Sequence, residues 1–99
     1  MVIEFLKIEV TPEDRQQYLQ LDEKIWTKAL AKFPGFLSKE VWLNPNKPSE
    51  VLLIIRWASR EEWKSISCQL LAEIEAQFAL ATGSIHHQIV ESGEYEIIS

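Results

Sequence analysis

Positions two apart share a face along the nine residues Val2 to Val10: Val2, Leu6, Ile8 and Val10 lie together with Glu4 among them, opposite Ile3, Phe5, Lys7 and Glu9. That period predicts a strand. Thr11-Pro12-Glu13-Asp14 then predicts a helix start, with Thr11 as N-cap, Pro12 at the first helical position and acids against the positive end of the dipole. Tyr18, Leu21, Ile25, Trp26, Leu30 and Phe33 form an apolar stripe at helical spacing, and Pro34-Gly35 stops it. A second, less regular strand follows from Phe36 to Leu43 and ends in the turn Asn44-Pro45-Asn46-Lys47-Pro48. Val51 to Trp57 is a third strand, apolar almost throughout, which predicts that both of its faces are covered. Ser59 and Glu62 have the spacing of a capping box, the serine as N-cap and the carboxylate reaching back to the serine's own N–H. The helical pattern from Ser59 to Thr82 carries Trp63, Ile66, Leu70, Ile74 and Phe78 on one stripe, and Gly83 closes it. Ser65-Ile66-Ser67-Cys68 is a weak helix former, which allows two shorter helices with Ser67 as an internal N-cap. Ile85 to Ile98 alternates again, with a bulge or bend expected at Ser92-Gly93.

The order is therefore βαββαβ in a single domain spanning residues 1–99. Right-handed crossovers turn this order into an α+β, ferredoxin-like fold, a four-stranded antiparallel sheet with both helical regions on one face. The other face is left bare although the third strand is apolar on both sides. A second copy packed sheet to sheet, roughly 10 Å away, resolves the conflict. The pattern thus predicts a homodimer.

Composition sharpens this expectation. Of 99 residues, 46% are hydrophobic and four are tryptophan, more apolar material than one small core hides. A partner subunit or an apolar pocket for a small hydrophobic ligand is the expected outlet. The net charge of −5, with no basic run, argues against nucleic acid and anionic membranes as partners. No apolar run approaches the roughly 20 residues that span a bilayer. Val2 to Val10 lacks the cationic start of a signal peptide, so the expected location is cytoplasmic. The lone Cys68 excludes an internal disulfide and a cysteine-based zinc site.

Pro34-Gly35-Phe36 after the first helix, and Arg56-Trp57-Ala58-Ser59 leading into Glu62-Trp63, carry a resemblance to the antibiotic biosynthesis monooxygenase family. The commoner family form has Glu where Ala58 stands. Trp63-Lys64-Ser65-Ile66 and Glu94-Tyr95-Glu96-Ile97 look most like a cyanobacterial branch of it. The resemblance implies a dimeric α+β barrel, and an activity among several that the superfamily hosts, since fold alone does not decide chemistry. Haem-degrading relatives carry an Asn in the first strand, then a Trp and a His on the helix after the third. Here the first two positions fall on Leu6 and Ile66, and no His occurs from Ser59 to Gly83. Haem degradation of that type is not expected.

The resemblance implies instead a monooxygenase without metal, flavin or other cofactor, acting on a small aromatic or quinol-like molecule. Such chemistry needs an apolar, water-poor cavity and a base that makes the substrate's anion, which then reacts with O₂. Trp26, Trp57, Trp63 and Tyr18 are candidates for the wall, and Arg56 for stabilising a developing oxyanion. His87 and His86 are the candidate bases. They are adjacent, so on a strand they point to opposite faces and cannot share one metal ion. The alternative is a non-catalytic dimeric module that binds a hydrophobic metabolite or serves a structural role. In that reading the tryptophans are core, one imidazole is satisfied by a hydrogen bond with the other at the rim, and Arg56 is an ion-pair partner or interface residue.

Overall fold

The computed structural model describes residues 1–99. Its strands are β1 (Val2–Val10), β2 (Phe36–Trp42), β3 (Glu50–Trp57) and β4 (His87–Glu96). They form one antiparallel sheet in the order β2-β3-β1-β4. Register explains the two-sided apolar character of β3. Val51, Leu53, Ile55 and Trp57 are buried, and they lie level with Ile8, Leu6, Glu4 and Val2 of β1 on the face that the helices cover. Leu52, Ile54 and Arg56 share the opposite face with Ile3, Phe5 and Lys7, where this chain supplies no second layer. The α+β, ferredoxin-like architecture expected from the pattern is the one observed.

The first helical segment is less uniform than its stripe suggests. It opens with a 3₁₀ turn, Pro12–Asp14, and the Thr11 hydroxyl does not cap it; the Thr11 carbonyl accepts the Asp14 N–H at 2.9 Å instead. Helix α1 (Arg15–Asp22) then passes into a π-helical turn, Glu23–Thr27, before α2 (Lys28–Leu30). The run ends at Leu30 rather than Phe33. On an α-helix, residues five apart diverge by about 140° around the axis. A π turn, with its i→i+5 bonds, brings them back toward one side. Asp22 and Thr27 are such a pair.

The second helical region divides where expected. Helix α3 (Arg60–Lys64) is separated from α4 (Cys68–Thr82) by Ser67, whose hydroxyl accepts the N–H groups of Gln69 and Leu70. The Ser59 hydroxyl accepts the Glu62 N–H at 3.1 Å, as a cap should. The Glu62 carboxylate, however, takes a hydrogen bond from that hydroxyl at 3.0 Å, not from the Ser59 backbone. Gly35 shows why the two sequence motifs belong together. It has φ +87°, and a Cβ there would stand 2.6 Å from the Glu62 Cβ. Its carbonyl accepts the Ala58 N–H at 2.7 Å. The turn into β2 and the start of α3 thus touch, backbone against side chain, at a position only glycine fits.

The irregularity in β4 is not at Ser92-Gly93. Register shifts between Lys7, opposite Glu91, and Ile8, opposite Ile89, so the extra residue is Val90. Gly93 stays in register opposite Phe5, and the Tyr95 ring covers it at a distance a Cβ would meet at 3.5 Å. The bulge changes parity along β4. It lets His87 and Ile89 face the helices together with Ser92 and Glu94. No helix is long and apolar enough to cross a membrane.

Candidate functional site

Between the helix-covered face of the sheet and the helices lies a cavity of about 680 Å³, within the range of small-molecule sites. Its floor comes from alternate residues of β1 and β3, which strand periodicity aims at the helices. Its roof comes from α1, the π turn and α4. The walls are mostly apolar. Leu6 and Ile66 are both among them.

Six of the seven site candidates have positions that separate them cleanly. Tyr18, Trp26, Trp57, Trp63 and His87 all line this cavity. Tyr18 is buried, with its ring 5.5 Å from Phe78 and 5.0 Å from the His87 imidazole. His87 is half-buried, and the Phe78 ring lies 5.7 Å from it on the helix side. His86 is exposed, and its carbonyl accepts the Thr11 N–H outside the cavity, so only one imidazole faces the interior. The tryptophans resolve the choice between core and wall by doing both. Trp57 is fully buried in a core cluster with Leu30 and Ile55, while Trp26 and Trp63 pack against that cluster from the helices.

The seventh candidate, Arg56, is a correction. It stands between Ile55 and Trp57, and strand parity therefore puts it on the opposite face of the sheet. There its guanidinium donates to the Glu40 carboxylate at 2.8 Å, so it is an ion-pair residue and does not reach the cavity.

Three further charged side chains on the cavity wall, Lys39, Asp22 and Glu4, were not among the candidates drawn from the sequence. Lys39 projects from β2, level with Ile55, and donates to Asp22 at 2.5 Å and to Thr27 at 2.8 Å. The side chains of Lys39 and Asp22 are only 3% and 4% exposed. Burial raises the Asp22 carboxyl above its ordinary range, and the adjacent Lys39 ammonium partly counteracts this. Glu4 accepts the Trp57 indole N–H at 3.2 Å. Its carboxyl is raised by burial, against the pull of that hydrogen bond and of Lys64 and Lys39. Tyr18 is held in its neutral form by burial and by the nearby Asp22 and Glu75. Two sequence signals were available: Glu4 breaks an apolar face, and Asp22 lies four residues after Tyr18, on the stripe.

Glu4 gives a pH test. Its folded pKa lies above the ordinary 4.5, so the folded state holds the proton more tightly than the unfolded chain. Its contribution to stability therefore falls as pH rises from about 4.5 and levels off above the folded value. Glu4→Gln keeps an oxygen for the Trp57 N–H and removes that fall. Thermal midpoints of the variant and the wild type should coincide near pH 4, within roughly the error of the measurement, and separate by a few degrees at neutral pH with the variant higher. Equal midpoints at both pH values would show that Glu4 is not desolvated.

Similarity to known proteins agrees with this geometry. The chain superposes on a protein from Bordetella bronchiseptica that carries the antibiotic biosynthesis monooxygenase name, with TM-score 0.73 and 11% identity, over 99% of this chain and 97% of that one. It superposes equally well on SnoaB, a cofactor-independent oxygenase from Streptomyces nogalater, with TM-score 0.72 and 15% identity, over 99% and 93% of the two chains. A Chloroflexus aurantiacus protein bearing the family name is 20% identical, with TM-score 0.69 and coverage of 99% and 93%. At such identities these likenesses establish the fold. None of the curated proteins matches in sequence. The sequence model of one family does match, over residues 1–66, a span that takes in β1 to α3 and both motifs that meet at Gly35; the chain belongs to the antibiotic biosynthesis monooxygenase family.

Proposed function

We propose that this protein is a cofactor-independent monooxygenase of a small aromatic or quinol-like molecule, with the cavity under the helices as its site. The observation that carries the reading is the combination of an apolar cavity of about 680 Å³ with a single imidazole, His87, on its wall. Family membership and the fold shared with SnoaB support it. Trp26 and Trp63 hold the ring, with Trp57 packed behind them in the core, and His87 takes a proton from it as general base. The resulting carbanion or phenolate transfers an electron to O₂, and the radical pair combines to a peroxide. Loss of water then leaves a carbonyl. A CH₂ group thus becomes C=O, with one oxygen atom in the product and the other in water, and the substrate itself supplies the electrons.

The reading includes a homodimer formed through the bare sheet face. The chain exposes 6441 Å², against roughly 5,800 Å² for a typical monomer of its mass. Trp42 and Tyr95 on that side are 49% and 58% exposed.

Oxygen uptake with a panel of hydroquinones, naphthols and anthrone tests the catalytic reading. The wild type should consume O₂ with at least one of them. His87→Phe, which keeps the ring contacts to Tyr18 and Phe78, should lose about 100-fold or more of the rate. Tight binding of these compounds with no uptake would leave the protein a ligand-binding module instead.

A further inference from the structure

We propose that Lys39 is the oxyanion-binding residue of this cavity, held in place by Asp22 and Thr27, and that the ligand is accordingly an aromatic molecule carrying an acidic hydroxyl that binds as its anion. The inference rests on the aromatic-site reading above and names the ligand class within it.

Three observations lead to it. Lys39 is the only lysine or arginine on the cavity wall, the expected Arg56 being on the other side of the sheet. An ammonium has three protons, and the structure accounts for two, given to Asp22 and Thr27; the third remains for an acceptor in the cavity. Finally, a buried ion pair is an expensive way to fill space. Well-packed apolar residues of the same volume serve a core as well or better, so a pair set on a cavity wall suits a role toward the cavity's occupant.

The π turn is the device that builds the site. Asp22 and Thr27 bracket it, and an uninterrupted α-helix would turn them about 140° apart. Converging on one ammonium, they fix its position before the ligand arrives, which is the condition for strong electrostatic stabilisation in a water-poor site. The other titratable groups facing the cavity are Glu4, Tyr18, Glu75 and His87. Burial shifts the Glu4 carboxyl toward its protonated form, and Tyr18, a neutral phenol, can donate to an incoming anion.

The test uses 4-nitrophenol, which ionises near neutrality and whose anion alone absorbs strongly in the visible. The bound chromophore therefore reports its own protonation. The wild type should bind the anion about 10-fold or more tightly than the neutral phenol, lowering the bound molecule's ionisation midpoint by about one pH unit. Asp22→Asn leaves the ammonium uncompensated and should strengthen the preference. The double variant Asp22→Asn/Lys39→Met, which removes both charges together, should reverse it. Preference of the wild type for the neutral phenol would overturn the inference and leave the aromatic site standing. So would an anion preference that survives in the double variant. Failure of both forms to bind would overturn the aromatic site and this inference with it.

Discussion

Replacing Lys39 by Met alone is expected to destabilise the fold by about 3–5 kcal/mol, the usual result of stripping one partner from a buried ion pair. Against a typical domain stability of about 5–15 kcal/mol that is a severe loss. The loss comes from the group left behind. Asp22, 4% exposed at its side chain, would have to stay charged without a counter-ion or take up a proton. Asp22→Asn/Lys39→Met removes that difficulty and should recover most of the stability, since the contact's net value is small while its half-removal is costly. Burial already raises the Asp22 carboxyl, so the single variant should regain part of its deficit toward acid pH, where Asp22 is protonated in both states. Urea unfolding midpoints of the wild type, the single and the double variants measure this directly. A single variant as stable as the wild type would mean that the Lys39–Asp22 contact is not formed in solution.

Phe5→Glu should dissociate the proposed dimer while leaving the protomer folded. Phe5 lies opposite Ile54 on one side and Gly93 on the other, in the middle of the bare sheet face, and is only half-buried by its own chain. Its ring meets the Tyr95 ring edge-on at 6.1 Å. In a face-to-face dimer a carboxylate at this point has no partner and lies close to its own copy. A central aromatic anchor is worth about 2–4 kcal/mol, so the dissociation constant should rise by about 30- to 1,000-fold. Sedimentation velocity across a concentration series, with circular dichroism confirming the fold, reads the outcome. A wild type that stays monomeric at high concentration would refute sheet-to-sheet pairing altogether.

The architecture was legible because it rests on local rules. Alternation in Val2–Val10 and helical spacing from Tyr18 to Leu30 both survive in the structure, as do the Ser59 and Ser67 caps and the glycine stop at Gly83, where φ is +52°. The errors fell where a local rule has more than one solution. Thr11 begins a helix with its carbonyl instead of its hydroxyl. The β4 irregularity moved from a glycine to Val90, because a bulge is set by the neighbouring strand's register and Gly93 can sit flat beneath Tyr95. The π turn at Glu23–Thr27 has no recognised signature in its own residues.

The candidate site divides the same way. Tryptophan and tyrosine on apolar stripes were bound to face the interior, since burial follows periodicity. Which charges joined them was another matter. Parity within a strand is local, but the absolute face of Arg56 depends on where β3 lies relative to β1 and the helices. Asp22 and Lys39 are seventeen residues apart on different elements, and each reads as a surface charge until the sheet and the π turn bring them within 2.5 Å. By itself, then, the sequence determined the elements, their order and the aromatic material of the cavity, because these follow from hydrophobic spacing and backbone capping along the chain. Only the tertiary structure decided which imidazole faces inward, that Arg56 does not, and that a buried lysine does. Those outcomes depend on register and on the exclusion of water between elements, and both exist only once the sheet and helices have packed.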